Sequence, residues 1–470
     1  MSQSNSLLQK VKGLFGEQDM TVGKPLSVLV KFSVPLLIGN FAQQMYSTVD
    51  SIVVGQYVGD NALAAIGVSG PIINLLLVLF MAISTGVGIQ VAQFYGAKDR
   101  RMLASAVGGA ITMILISGAL IMAAGIPLAG PLLRLIDTPE AIFNMAKSYL
   151  IIIFLGIIGS GIYNIVSGIL RGMGDSVFPL LFLLVSTVLN IILDLLFVAG
   201  FHMGVAGAAW ATIIAQFISA ALCILRLFQM RDKMELHVSD LKPKGALTKQ
   251  LFRLGLPAGI TQAIFSLAQV FVQALTNQMG VDVAALSVAV MRVDGFAMLP
   301  NFTFGLALST YVGQNMGAKQ LKRVDEGIKA GLQLGLSVSL VLVVCLLLFG
   351  HNLMGMFTST ERILDLGTTA LRILAVGYMA MMISQCLGGV LRGAGDTMPS
   401  MWISLFTTVI VRVPLAYALA FMTRSEQWPA GNPNMLYVSL LVCWIIGALL
   451  NFIVFKKRDW RSRSLVDELK

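Results

Sequence analysis

The stretch Leu170-Arg-Gly-Met-Gly-Asp175 returns later in the chain as Leu391-Arg-Gly-Ala-Gly-Asp396, and the two copies start 221 residues apart. A second stretch, Phe94-Tyr-Gly-Ala-Lys98, returns at the same interval as Asn315-Met-Gly-Ala-Lys319. Because this interval is close to half of the 470 residues, the repeated unit is half of the protein rather than one unit of a solenoid. The sequence therefore predicts two halves with the same internal fold.

The composition is typical of a membrane protein, since 57% of the residues are hydrophobic and only 12% are charged. An average soluble domain carries about 25% charged residues. A helix of roughly 20 apolar residues crosses a hydrocarbon layer of about 30 Å. Twelve apolar runs suit such helices, at residues 32–54, 63–93, 103–128, 142–168, 177–199, 205–228, 251–276, 284–312, 328–349, 364–389, 399–422 and 436–455. The predicted fold class is an all-α polytopic membrane protein with twelve transmembrane helices in two pseudo-symmetric six-helix lobes.

Positive charge is distributed unevenly between the loops. Most of the 33 Lys and Arg residues fall in alternate loops, above all in the N-terminal tail, the central linker and the C-terminal tail. By the positive-inside rule, both termini and the linker are expected to be cytoplasmic. The net charge of +10 is interpreted as a topology signal. It does not indicate nucleic-acid binding, because the charge follows helix ends rather than one face.

The span count sets the expected domain organisation. Six spans in each lobe make both lobes start on the same side of the membrane, so the repeat is parallel about an axis along the membrane normal. The predicted domains are an N-terminal tail (1–31), an N-terminal lobe (32–228), a cytoplasmic inter-lobe linker (229–250), a C-terminal lobe (251–455) and a C-terminal tail (456–470). The linker is polar and charged, and it is interpreted as the hinge between the lobes.

Three acidic residues, Asp50, Asp194 and Asp294, lie well inside predicted spans. A carboxylate at this depth costs at least about 2.5 kcal/mol, so each needs a reason to be there. Asn190 and Asp194 are four residues apart and share one helix face, and Thr212 lies in the next span. Together with Asp50 they offer oxygen ligands for Na⁺, or carboxyls that repel each other until one takes up H⁺. Either behaviour suits an ion-coupled carrier, and the alternative is a purely structural role.

The C-terminal lobe carries a different set of charges. Arg292 and Asp294 are two residues apart and point to different sides of one helix, and Arg412 is the expected partner of Asp294. An ion pair and the lining of a cavity are both open as roles for these three residues. Asp194 aligns with Leu415 in the second half, so the cation site is expected in the N-terminal lobe alone.

The chain has none of the sequence motifs of an enzyme: no phosphate-binding loop, no His/Cys metal-ligand spacing and no nucleophile motif. We therefore expect no enzymatic activity and no cofactor. Without an ATP site, the energy for transport has to come from an ion gradient.

Several motifs together resemble those of the multidrug and toxic compound extrusion (MATE) transporters, over roughly residues 25–455. The matching pieces are Thr48-Val-Asp-Ser-Ile-Val-Val-Gly55, Gly96-Ala-Lys98, Asn190-Ile-Ile-Leu-Asp194, Gly313-Gln-Asn-Met-Gly-Ala-Lys319 and both Leu-Arg-Gly-x-Gly-Asp stretches. The resemblance implies two six-helix lobes that alternate between inward-open and outward-open forms. It also implies export of cationic amphipathic drugs in exchange for Na⁺ or H⁺. We expect a multi-pass protein of the bacterial inner membrane that contacts lipid, binds no nucleic acid and functions as a monomer.

The resemblance also implies site residues. By position, the family's helix-1 aspartate falls on Asp50, and its N-lobe cation site falls on Asn190, Asp194 and Thr212. The sequence departs from the family in the C-terminal lobe. Acidic residues that some members carry there fall on apolar positions, Phe265 and Met382. A C-lobe cation site of that type is therefore not expected, and Asp294 either replaces it or serves the substrate.

Three other functions compete with this interpretation. A flippase for a lipid-linked saccharide would need Arg or Lys around its cavity for the pyrophosphate, and only Arg292 and Arg412 are basic within spans. A receptor or channel without coupled transport does not account for the duplication and the buried carboxylates. A major-facilitator carrier also has six plus six helices, but the paired Leu-Arg-Gly-x-Gly-Asp stretches do not fit that family.

Overall fold

The structure, a computed structural model, describes residues 17–356 and 360–468. The side chains of residues 46–55, 60 and 467 are outside this description. In the described ranges every regular element is helical, and twelve segments are long and apolar enough to cross a membrane. The predicted all-α fold with twelve spans is confirmed.

The first half contains six spans. They are α1 (Pro25–Tyr57), α2 (Asp60–Gly96), α3 (Arg100–Leu135), α4 (Glu140–Gly172), α5 (Val177–Asp194), which continues as a π-helix over Leu195–Gly200, and α6 (Gly204–Gln229). A side-chain hydrogen bond sets the start of one of these helices. Asp99 caps α3, since its carboxylate accepts from the backbone N–H of Met102 at 3.0 Å.

The second half repeats this order with more interruptions. It contains α7 (Gly245–Gln278), α8 (Val281–Ala297) and α9 (Leu299–Gly317) in one span, α10 (Leu321–Gly355), α11 (Glu361–Gly393), α12 (Met398–Leu405), a π-helix over Phe406–Arg412 and α13 (Val413–Met422) in one span, α14 (Asn434–Lys457) and the short α15 (Leu465–Glu468). Pro300 follows the break between α8 and α9, and Pro414 follows the second π-helix. Since proline has no N–H to donate and its ring clashes with the preceding turn, both prolines favour an interrupted helix.

The chain divides into two compact units that match the predicted duplication. One unit contains Val30–Leu256, and the other contains Pro257–Glu468 together with Thr21–Leu29. The division falls inside α7, so residues 229–250, which we interpreted as the hinge between the lobes, belong to the first unit.

The repeated Leu-Arg-Gly-x-Gly-Asp stretch forms the same turn after α4 and after α11. Its second glycine, Gly174 or Gly395, has φ of +90° in both copies, a conformation that favours glycine. The aspartate that follows is buried and pairs with arginine: Asp175 lies 3.0 Å from Arg226, and Asp396 pairs with Arg458. Burial raises the pKa of the Asp175 carboxyl, against the opposing effect of the Phe178 backbone N–H and of Arg226.

The C-terminal segment after α14 folds back onto its own lobe. Arg463 lies 3.3 Å from Asp396, and Arg461 lies 2.7 Å from Asp325. Trp460 is fully buried and donates from Nε1 to the carbonyl of Phe455 at 3.0 Å. The predicted C-terminal tail is therefore held to its lobe at Trp460 and by ion pairs from its arginines.

The segment between the lobes packs against α3. Asp240, which is buried, accepts from the Ser105 hydroxyl at 2.9 Å and from the backbone N–H of His237 at 3.1 Å. A Cβ added to Gly108 would lie 2.4 Å from the Asp240 carbonyl oxygen, so α3 touches the linker backbone directly. Desolvation acts to raise the pKa of Asp240, but these hydrogen bonds and the charge of Lys244 outweigh it and hold the pKa below its ordinary value.

Replacing Asp240 by Ala is expected to loosen the linker. The variant loses two hydrogen bonds, each worth about 0.5–1.5 kcal/mol net, so tryptic cleavage between α6 and α7 should accelerate roughly tenfold. Limited proteolysis of the purified protein measures this rate. Asp232→Ala is the matched control, because Asp232 lies in the same linker and is exposed. Equal cleavage of the two variants would contradict the docking of the linker through Asp240.

Candidate functional site

A row of polar side chains joins α5 to α6 in the first unit. Ser186 on α5 donates to the carbonyl of Ala215 at 3.0 Å, and Ser219 on α6 donates to the carbonyl of Phe182 at 3.1 Å. The α5 members of this row are spaced by four residues, so they occupy one face of the helix. Asn190 and Asp194 continue the same face towards the end of α5.

Asn190 lies between Asp194 and Thr212. With its amide nitrogen oriented towards Asp194, Asn190 donates to Oδ2 of that carboxyl at 3.0 Å. Its amide oxygen then accepts from the backbone N–H of Thr212 at 3.2 Å. This orientation is assigned from the hydrogen bonds, because the opposite one turns like groups against each other. Asn190 and Asp194 are both fully buried.

The structure thus brings together three of the four residues predicted for the cation site. Thr212 takes part through its backbone N–H, whereas the sequence analysis assigned the role to its hydroxyl. The fourth residue, Asp50, belongs to α1, and its side chain lies outside the described residues. The π-helix begins directly after Asp194. Such segments widen the helix locally and are frequent at functional sites.

The burial of Asp194 limits what this cluster can do. A carboxyl without contact with water is stable only when a proton removes its charge, a cation balances it, or hydrogen bonds satisfy it. Asn190 supplies one hydrogen bond and is itself held by Thr212, so the carboxyl has a defined position.

In the second unit, Asp294 on α8 accepts a 2.6 Å hydrogen bond from the hydroxyl of Tyr378 on α11. The ring of Tyr378 packs against Trp444 on α14, with 5.4 Å between the centroids. Both rings belong to the buried core of this lobe, which α8 also lines. The lobe therefore places a carboxyl against two buried aromatic rings.

The two arginines of this lobe differ from the expectation. Arg412 was the predicted partner of Asp294, but the hydrogen-bond partner of Asp294 is Tyr378, and among the described residues Arg412 makes no ion pair with it. Arg412 instead donates to Gln269 Oε1 at 3.4 Å. Arg292, the other arginine singled out in this lobe, is exposed.

The sequence analysis missed Tyr378, although it is the partner of Asp294. Tyr378 lies in a long apolar run, and its single signal is a phenol among aliphatic neighbours. Met382, one turn later, is fully buried, and its sulfur lies 3.7 Å from that of Cys386. Met382 therefore has a buried, sulfur-lined environment.

Comparison with known proteins places this chain in a family. A profile of the MatE family matches residues 35–196 and 257–418, one copy in each half. The chain belongs to the MatE family. The resemblance found from the motifs is confirmed, and the protein is a multi-pass membrane transporter rather than an enzyme.

Two relatives come from Bacillus subtilis (strain 168). The probable multidrug resistance protein YpnP is 31% identical over 450 residues, which cover 96% of this chain and 99% of YpnP. The probable multidrug resistance protein YoeA is 29% identical over 425 residues, which cover 88% of this chain and 91% of YoeA. A solved structure of a MATE transporter in its straight conformation superimposes with a TM-score of 0.87 at 23% identity, covering 94% of this chain and 98% of that one. This MatE chain therefore shares the fold of that transporter along nearly all of its length.

Proposed function

We propose that this protein is a secondary active antiporter that exports cationic amphipathic compounds in exchange for Na⁺ or H⁺ by alternating access. The multidrug resistance names of its relatives YpnP and YoeA support the substrate class. The proposed site of ion coupling is Asp50, Asn190, Asp194 and Thr212 in the N-terminal lobe. We further propose a cell-membrane location with both termini and the linker in the cytoplasm, and function as a monomer.

The buried contact between Asp194 and Asn190 carries this proposal. A carboxyl held in place by an amide on one helix face can accept an ion and release it without unfolding the helix. Binding of the ion changes the net charge inside the lobe, so it favours one of the two access states over the other. By linkage, whatever the ion does to the affinity for the drug, the drug does to the affinity for the ion.

Transport of a fluorescent cationic dye, ethidium, into proteoliposomes tests the proposal. A pH gradient and a Na⁺ gradient are imposed separately, and protein-free liposomes serve as the control. We expect one of the two gradients to drive dye movement. Movement driven by Na⁺ alone makes the N-lobe cluster a metal-ion site, and movement driven by pH alone makes it a protonation site. No movement with either gradient would contradict antiport and would favour the alternative function, a flippase for a lipid-like substrate.

A further inference from the structure

Arg412 is a poorly satisfied charged group in the described part of the C-terminal lobe. Its Nε is buried and has no hydrogen-bond partner among the described residues. One terminal nitrogen donates to Gln269, a neutral side chain, at the long distance of 3.4 Å. Such weak bonding does not offset the free energy lost when a guanidinium leaves water. The unused N–H donors of Arg412 are available for an anionic group.

The surroundings of Arg412 add a second weakly satisfied group. Thr408 lies four residues earlier, on the same π-helix, and its buried hydroxyl has beside it the thiol of Cys443, a weak hydrogen-bonding group. Cys443 of α14 interacts with both Arg412 and Thr408. A guanidinium and a hydroxyl on one side of a helix form a donor pair that suits a carboxylate or a phosphate.

The nearest acidic group does not fill this role. Asp294 and Arg412 interact electrostatically, yet the carboxyl of Asp294 is bonded to Tyr378 and the two charges form no ion pair. The lobe therefore holds one acid and one base apart from each other. Asp294 is partly accessible, and its carboxylate suits the cationic group of a ligand.

We propose that Arg412 binds an anionic group of the transported compound while the carboxylate of Asp294 binds the cationic group. The C-terminal lobe then selects dipolar compounds, which carry a cation and a carboxylate, over compounds that are only cationic. This inference rests on the proposed export function and narrows its substrate class. Arg412 is the specificity-determining residue, because its planar guanidinium can hold both oxygens of a carboxylate.

A matched pair of dyes tests the proposal. Rhodamine B carries a cationic ring system and a free carboxylate at neutral pH, and its ethyl ester keeps the cation but lacks the carboxylate. Fluorescence polarisation of the purified, detergent-solubilised protein measures the binding of each. We expect the wild type to bind the acid more tightly than the ester. In Arg412→Gln, binding of the acid should weaken by about 10- to 100-fold, the loss of a charge-assisted hydrogen bond, while binding of the ester changes less than about twofold.

Two further variants separate specificity from stability. Arg372→Gln is the control, because it removes an exposed positive charge from α11 of the same lobe and should change the binding of neither dye. Arg412→Lys keeps the charge but loses the planar guanidinium that can bond both oxygens of a carboxylate, so it should lose part of the preference for the acid. This variant keeps the proposal testable if Arg412→Gln fails to fold. Equal losses for acid and ester, or no preference for the acid in the wild type, would overturn the proposal.

A lipid phosphate could also occupy the donors of Arg412. Short-chain phosphatidylglycerol is therefore added as a competitor. Displacement of rhodamine B that depends on Arg412 shows that carboxylate and phosphate share these donors, as the proposal expects. If the lipid binds through Arg412 while the wild type shows no preference for the acid over the ester, the donors serve a lipid phosphate and the assignment to a substrate carboxylate is wrong. Because these assays measure binding alone, they are independent of the gradient-driven transport assay, and a failure of either can be recognised separately.

Discussion

Replacing Asp194 by Asn is expected to abolish ion-coupled export while leaving the protein folded. The substitution keeps the shape of the side chain and a polar partner for Asn190, but removes the carboxyl that we propose to carry a proton or to balance a cation. Charge-assisted hydrogen bonds are worth about 1.5–3 kcal/mol, so affinity for the coupling ion should fall by about 10- to 100-fold. Dye transport by proteoliposomes under the driving gradient measures the loss, and Asp50→Asn is expected to behave in the same way.

Two substitutions on the same pair of helices serve as controls for Asp194→Asn. Ser186→Ala removes a hydrogen bond between α5 and α6 outside the proposed cluster, so it should lower stability slightly and leave coupling intact. Thr212→Val keeps the backbone N–H that Asn190 accepts from, so it should also retain coupling. Normal gradient-driven transport by Asp194→Asn would remove Asp194 from the mechanism. Loss of coupling in Thr212→Val would show that the hydroxyl has a role beyond the contact seen here.

The sequence predicted the fold and the N-terminal cluster because both depend on local patterns. Apolar length identifies a span, and a spacing of four residues places Asn190 and Asp194 on one face whatever their neighbours are. The role of the Thr212 backbone was not visible, because a backbone contact leaves no mark on residue type. The partner of Asp294 comes from a helix 84 residues away. Arg412 was the more obvious choice by charge, yet a phenol supplies the hydrogen bond.

The contacts of the two charged segments could not be predicted from the sequence for a similar reason. The linker and the C-terminal segment are polar, which is typical of solvated loops, but each carries buried contacts. Asp240 fastens the linker to α3, and Trp460 anchors the C-terminal segment in its lobe. An isolated tryptophan among lysines and arginines was the available signal in the C-terminal segment. In the linker, one aspartate among several charged residues gave no such signal.

The same helix crossing occurs in both units, and it depends on small residues. In the first unit α2 crosses α4, where a Cβ on Gly168 would lie 2.4 Å from the Ser84 hydroxyl oxygen. In the second unit α9 crosses α11, where a Cβ on Gly389 would lie 2.1 Å from the Gly305 carbonyl oxygen. Gly168 and Gly389 are 221 residues apart, the interval of the duplication. Because lipid tails are as apolar as the helix surfaces, the hydrophobic effect does not drive helices together inside a membrane. Close approach of the backbones is therefore a main source of the packing energy.

Replacing Gly389 by Ala is therefore expected to disrupt the folded C-terminal lobe. The methyl group would meet backbone rather than a movable side chain, so α9 and α11 must separate by more than 1 Å to restore an ordinary C···O distance of about 3.3 Å. The cost should reach or exceed the upper end of the about 1–3 kcal/mol that overpacking usually costs. Thermal unfolding followed by size-exclusion chromatography measures it. Gly67→Ala on α2 is the control, because nothing lies within 4 Å of its added Cβ.

The equivalent substitution in the first unit offers a rescue that the second unit lacks. At Gly168→Ala the first obstacle is the Ser84 hydroxyl, and the Ser84 carbonyl oxygen lies farther away at 3.0 Å. Ser84→Gly removes the hydroxyl, so the double variant should recover part of the stability lost in Gly168→Ala. At Gly389 the obstacle is the carbonyl of a glycine, and no side-chain replacement can remove it. Recovered stability in the Ser84→Gly/Gly168→Ala variant would show that a side chain limits the crossing in the first unit. In the second unit the limiting contact is the backbone at Gly305. A stable, monodisperse Gly389→Ala protein would contradict this account of the packing.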